Sequence, residues 1–187
     1  MDITDLDRFK AGGFPSDYPP DSRMFFAGDD DVHGVIVAVL KAATRRITVA
    51  MYGYDDPDAS ALILSAMRRA GMVVQVTLDS SQAGGVHERK LLGAYLDPAT
   101  DTPLSSVVSI GRSEHGAIMH LKMLVIDGEW VVSGSTNWSG SGESKQSNQL
   151  TVTRSRALAF DAEHEISKIH LDQLQKAHAK EAAHATH

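Results

Sequence analysis

Apolar positions along this chain switch repeatedly between helical and strand-like spacing. DDDVHGVIVAVLKAATRR opens on aspartates, spaces its apolar residues as one face of a helix and closes on basic residues, which suits the helix dipole. The runs MFFAG before it and ITVAMYGY after it read as strands. DPDASALILSAMRRAG, with an acidic start and a closing Gly71, predicts a second helix, and the β-branched MVVQVTLD predicts a further strand. A helix over HERKLLGAYL and strands over SSVVSI, HLKMLVID, EWVVSG and NQLTVT follow, with a tight turn at Asp127 and Gly128. Residues 156–180 form a last helix of mixed charge. At the other end, Gly12, Gly13, Pro15, Pro19 and Pro20 predict an irregular arm over residues 1–22, leaving 23–187 as a single domain.

Strands alternating with helices and ending in a hairpin predict an α/β fold, an α/β/α sandwich around a central mixed β-sheet. A chain of 187 residues is long enough to bury one sizeable core. No apolar run approaches the roughly 18–20 residues of a membrane span, and MDITDLDRFK lacks a signal layout, so a soluble, cytoplasmic chain without a transmembrane segment is expected. The absence of cysteine excludes disulfides, cysteine-bound zinc and thiol catalysis. The net charge of −6 lies mostly in residues 1–31, where eight Asp face Arg8, Lys10 and Arg23; a near-neutral body can still hold a basic cleft. The tail HAKEAAHATH has metal-binding composition but reads better as an alanine-rich helix.

The chemistry concentrates in HLKMLVIDGEWVVSGSTNW, residues 120–138. Side chains alternate across a strand, so His120 and Lys122 share one face while Leu121, Met123 and Val125 point away. Eight residues after Asp127 stands Ser135 in the small-residue turn GSTN, whose hydroxyl, amide and exposed backbone are groups that hold phosphate oxygens.

His120, Lys122, Asp127, Gly134, Ser135 and Asn137 fit HxK(x)4D(x)6GSxN, and on these six positions the chain resembles the phospholipase D superfamily. The likeness extends upstream through DDDV, ITVAMYGY and VVQVTLDSSQA and covers roughly residues 23–155. It implies a phospholipase D-like fold and phosphodiester hydrolysis through a covalent phosphohistidine. His120 would then be the nucleophile, with Lys122, Ser135 and Asn137 on the nonbridging oxygens. No cofactor or metal is called for, and the sequence shows no carboxylate cluster of the kind a metal nuclease uses. Asp127 has the opposite strand parity to His120 and, with Gly134, reads as structural.

Where related enzymes carry an acid about ten positions after the GSxN turn to orient the imidazole, this chain has Ser147, Asn148 and Gln149. Asn148, Gln149 and the nearest acid, Glu143, are the candidates for that role. A second motif would supply the leaving-group acid, yet only one is present: His87 has the wrong spacing and His178 lacks the Asp and GSxN. The resemblance is to one-motif members, bacterial Nuc-type endonucleases and mitochondrial cardiolipin hydrolase relatives, and implies a homodimer that completes the site across a two-fold axis. His115 is the alternative acid within one chain. The expected substrate is DNA or RNA, with Arg89, Lys90, Arg112 and Lys145 as candidate backbone contacts. Phospholipid or cardiolipin is the alternative, with Phe14 to Pro20 as the one hint of a membrane-facing surface, and a catalytically weak nucleic-acid-binding module or effector domain is a third reading.

Overall fold

The computed structural model describes residues 1–82 and 107–185. The expected helix over HERKLLGAYL therefore lies outside the described residues, as do His87, Arg89, Lys90 and the first two residues of SSVVSI. The described elements are β1 (Ser22–Phe26), α1 (Val32–Ala42), β2 (Arg46–Met51), α2 (Pro57–Met67), β3 (Val73–Asp79), β4 (Val108–Gly111), β5 (Lys122–Ile126), β6 (Trp130–Gly134), α3 (Gly140–Ser144), β7 (Gln149–Arg154) and α4 (Arg156–Ala185). The strands form one mixed sheet in the order β1-β7-β6-β5-β2-β3-β4, parallel at β2/β3/β4 and antiparallel elsewhere.

Burial explains why β2 and β5 read as continuous apolar runs. One face of the sheet, with Ile47, Val49, Met51, Leu124, Ile126 and Val132, packs against the apolar stripes of α1 and α2. The other, with Ala50, Val125 and Val131, packs against Ala159, Ala162, Ile166 and Ile169 of α4. Strands covered on both faces need no polar alternation, and the result is the three-layer sandwich. Asp31 caps α1 by accepting from the Gly34 N–H (2.8 Å). Asp56 caps α2 by accepting from the Asp58 and Ala59 N–H groups, with Pro57 in the first turn.

Residues 1–22 are more ordered than their glycine and proline content predicts. Ile3–Phe9 form a 3₁₀ helix under a capping box of Asp2 and Asp5, and Ile3 and Leu6 insert into the core. The segment's charges are tied to the domain, Asp7 accepting from Arg23 Nε at 2.6 Å and Lys10 donating to Asp30 at 2.8 Å. Phe14 packs on Tyr18 and Phe25, and Arg23 lies over its ring, so these aromatics are used internally. A seven-residue helix with two buried side chains carries too short a pattern to be read beside glycines and prolines.

Strand direction decides what meets where. The C-terminal ends of β2, β3 and β6 and the N-terminal ends of β5 and β7 share one end of the sheet, as the pairings Met51 with Lys122 and Gly134 with Leu150 require. Asp127 lies at the opposite end, in the β5–β6 turn, where Asp127 and Gly128 adopt left-handed conformations with φ 56° and 66°. There its carboxylate accepts from Thr44 N–H (2.9 Å), Thr44 Oγ1 (2.7 Å), Arg45 N–H (2.7 Å) and Arg46 N–H (2.9 Å). Burial would raise its pKa, but these bonds outweigh burial and hold the carboxyl below the usual range.

Candidate active site

β5 begins at Lys122, so His120 stands on the segment just before the strand rather than within it. The two side chains still meet, on the ring of Tyr52, the first residue after β2. The His120 and Tyr52 ring centroids are 4.6 Å apart in an edge-on arrangement. Lys122 Nζ sits 4.7 Å from the Tyr52 centroid and donates to the His120 carbonyl oxygen at 2.9 Å. Gln82 Nε2 donates to the Tyr52 hydroxyl at 3.2 Å. The imidazole is exposed, whereas Lys122 is only 7% exposed and has no carboxylate partner among the described residues. Burial without an anion pulls its ammonium below the usual lysine value. A cation held against a π face and a carbonyl, lacking a counter-charge, is poised to take an anionic ligand.

The residue after Tyr52 links this group to the GSTN turn. Gly53 N–H donates to Asn137 Oδ1 at 3.2 Å, and Trp138 N–H donates to the Gly53 carbonyl at 3.0 Å. With its oxygen engaged, Asn137 has an NH₂ without a hydrogen bond among the described residues, left to offer a ligand. Ser135 is committed differently: its Oγ donates to Asn148 Oδ1 (3.0 Å) and accepts from Gln149 N–H (3.1 Å). Asn148 also donates through Nδ2 to the Gly142 carbonyl, so among the described contacts this amide braces Ser135 and α3 rather than the imidazole. The Gln149 side chain accepts from Thr151 Oγ1. At Gly134 a Cβ would collide with the Gln149 carbonyl oxygen, which accounts for glycine where β6 and β7 approach closely.

Glu143 does not serve His120 in this arrangement. SGSGESKQ, which reads as a loop, contains α3, capped by Ser139, and the helix turns Glu143 inward until it is 5% exposed. There it bonds His33 Nδ1 at 2.7 Å, beside the buried Asp56, while Asp58 reaches His33 Nε2 at 3.1 Å. Burial and the adjacent Asp56 carboxylate push Glu143 up to about 7. Burial opposes protonation of His33, but the Glu143 hydrogen bond and its other carboxylate neighbours raise the imidazole above its usual value. Folding thus gathers acids that the sequence keeps apart: Asp56 and Asp58 at the start of α2 and Glu143 of α3, 87 positions beyond Asp56, meet around His33 of α1.

Asp79, at the end of β3 and fully buried, is a site residue that sequence reasoning missed. Its carboxylate accepts from Ser81 N–H (2.8 Å), Ser81 Oγ (2.5 Å) and Met119 N–H (2.5 Å), fixing the backbone next to His120. The strand-end Asp followed by small polar residues was the available signal. His115 is exposed in the turn before that segment. Lys145 is exposed after α3. Arg112 lines an open groove of about 700 Å³ with Ser80, Gln173, Lys176 and Lys180. Among the described residues, no helix is long and apolar enough to cross a membrane.

A family model described as "Cardiolipin synthase, PLD-like domain" matches residues 36–170. The mitochondrial cardiolipin hydrolase of Chlamydomonas reinhardtii is 23% identical over 130 residues, 70% of this chain and 53% of that protein, so the chain spans about half the length of the curated relative it matches. Among solved structures, the phospholipase D family member Nuc from Salmonella typhimurium superposes with a TM-score of 0.63 at 17% identity, covering 82% of this chain and 96% of that one. NucT from Helicobacter pylori gives a TM-score of 0.63 at 21% identity, covering 81% and 96%. At such identities these two structures speak for the fold.

Proposed function

Because the chain belongs to the phospholipase D-like family, we propose that it is a phosphodiester hydrolase, and more specifically a metal-independent endonuclease of DNA or RNA acting through a covalent phosphohistidine in a homodimeric site. The observation that carries this reading is the shared Tyr52 platform, which holds an exposed imidazole beside a buried ammonium that has no carboxylate partner among the described residues. In the proposed first step a ring nitrogen of His120 forms a bond to phosphorus while the bond to the leaving oxygen breaks, and the His120 of a second copy delivers a proton to that oxygen. In the second step that same second imidazole takes a proton from water, the water oxygen bonds phosphorus, and the phosphorus–nitrogen bond breaks. The Lys122 ammonium and the Asn137 NH₂ stabilise charge on the nonbridging oxygens, the work a metal would otherwise do. Ser135 supports the turn, its hydroxyl already spent on Asn148.

Likeness to Nuc and NucT and the groove lined by Arg112, Lys176 and Lys180 favour nucleic acid. Likeness to the cardiolipin hydrolase favours a second reading, hydrolysis of a phospholipid. Plasmid DNA, RNA, cardiolipin vesicles and bis(p-nitrophenyl) phosphate, each incubated in excess EDTA, test both. Nucleic acid cleavage in chelator is expected, together with an acid-labile, base-stable phosphoenzyme that His120→Ala abolishes. Wild-type turnover by His120→Ala, or turnover that EDTA abolishes well below the unfolding temperature and Mg²⁺ restores, overturns the mechanism. Hydrolysis of vesicles alone transfers the same mechanism to lipid.

A further inference from the structure

The cluster at the starts of α1 and α2 and within α3 has no part in the proposed hydrolysis. Around His33 Nδ1 stand Glu143 Oε2 at 2.7 Å and Asp56 Oδ2 at 3.2 Å, and Asp58 Oδ2 lies 3.1 Å from Nε2. Asp56 and Glu143 are 2% and 5% exposed, and among the described residues no lysine or arginine pairs with either or with Asp58. One Nδ1 proton serves one of the two oxygens facing it. Asp56 Oδ2 and Glu143 Oε1 are in fact buried without a hydrogen-bond partner. Two adjacent desolvated carboxylates with orphaned oxygens are costly unless a positive charge sits between them.

We propose that His33 Nδ1, Asp56 Oδ2 and a Glu143 carboxylate oxygen bind a divalent transition-metal cation of the Zn²⁺ or Mn²⁺ class. An imidazole with two carboxylates is a donor set for these borderline ions, and both carboxylates already stand within 3.2 Å of His33 Nδ1, near the donor separations of a coordination shell with bonds of about 2.0–2.2 Å. Asp56 Oδ1 is occupied in capping α2, so Asp56 would bind through one oxygen. Asp58 acts behind the imidazole: it accepts the Nε2–H and so fixes the tautomer that leaves the Nδ1 lone pair for the ion. A groove of about 310 Å³ between α1 and α2, lined by His33, Asp58, Lys41, Val37 and Leu62, opens on the imidazole side of the cluster. α2 follows the Tyr52–Gly53 segment and α3 follows the GSTN turn, so the ion would clamp the two loops that carry the candidate catalytic groups.

The test uses the full chain, stripped with chelator, dialysed and titrated with ZnCl₂ or MnCl₂ by calorimetry, with bound metal counted by mass spectrometry. One ion per chain is expected. At a hundredfold excess over Kd it should raise the melting temperature by roughly 5–10 °C. Glu143→Gln and Asp56→Asn should each abolish that binding, and Asp58→Asn should weaken it about 10- to 100-fold while leaving the stoichiometry unchanged. Because Glu143→Gln relieves repulsion from Asp56, its metal-free form should melt no lower than the metal-free wild type, which separates lost binding from lost folding. Binding that survives both Glu143→Gln and Asp56→Asn would put the ion elsewhere, the tail histidines included, and sink the proposal. No saturable binding by the wild type, with stability following pH alone, would replace the ion by a shared proton. Phosphodiester turnover of the stripped protein at room temperature is read separately, so failure of the metal site and failure of the histidine mechanism give different results.

Discussion

Replacing Asp127, the third residue of the HKD motif, separates architecture from chemistry. Its carboxylate accepts four hydrogen bonds from Thr44, Arg45 and Arg46 at the end of the sheet opposite Lys122, in a backbone with φ 56°. Asp127→Ala removes the acceptor and places a Cβ residue of low left-handed propensity there. Hydrogen bonds to a charged group are each worth about 1.5–3 kcal/mol, but this half-exposed site lets water replace several, and the backbone adds about 1 kcal/mol, so a net loss of about 2–4 kcal/mol is expected. For a domain of this size that lowers the melting temperature by roughly 5–15 °C. Asp127→Asn, which tolerates the left-handed backbone and keeps one acceptor, should lose about half as much. The carboxyl is depressed in the folded state, so its stabilisation is present above the unfolded value of about 3.9 and fades as pH falls through the lower folded value. Melting curves of the three proteins at neutral and acidic pH measure this, and bis(p-nitrophenyl) phosphate turnover well below the transitions measures chemistry. A hundredfold fall in kcat for Asp127→Asn at unchanged melting temperature would refute the structural assignment.

The depressed Lys122 should give turnover an alkaline limb below the ordinary lysine value of about 10.4, and Lys122→Arg should remove that limb from the accessible range; a limb untouched by the substitution belongs to another group. In the window between its folded and unfolded pKa, stability should rise with pH while activity falls, because only the unfolded lysine still holds its proton. Asp79→Asn must set an NH₂ against the N–H of either Met119 or Ser81, so kcat should fall on the order of 10–100-fold with KM little changed; a lower melting temperature at wild-type kcat would leave Asp79 purely structural. Wild-type and His120→Ala subunits co-refolded in equal amounts should retain about a quarter of the activity if both imidazoles serve each site, against about half if the subunits act independently.

Sequence patterning revealed the elements and the motif residues but not the neighbours that organise them. The helices were legible because α1 and α2 carry caps, an apolar stripe and, in α1, a basic end, and the strands because β2 and β5 are apolar throughout. His120, Lys122 and Asn137 were legible because a fixed spacing on a hairpin is local information. Tyr52 and Asp79 were not, since they reach His120 only through the order β5-β2-β3, which places the ends of distant strands side by side. Glu143 was legible as the nearest acid and its partner was not. A five-residue helix that seats it on His33 follows from capping by Ser139 and from packing against α1, neither visible in a glycine- and serine-rich run.

The asymmetry between Lys122 and His120 bears on the proposal that one motif suffices. Lys122 is buried where the sheet end meets Tyr52, so its charge points in one fixed direction and costs desolvation that only an anion relieves. His120 is exposed and held by its ring edge and backbone, with the Met119 N–H pinned by Asp79. In the proposed mechanism a buried ammonium beside an exposed imidazole would supply attack and charge stabilisation but not the acid opposite the leaving oxygen. On that proposal the acid would approach from the side His120 presents to solvent. A second copy of the chain would bring an identical exposed imidazole without needing any new residue, whereas an acid from within one chain would have to come from another side chain such as the exposed His115. An open site of this kind would also admit a phosphodiester flanked by more chain on both sides, which an enclosed pocket would exclude.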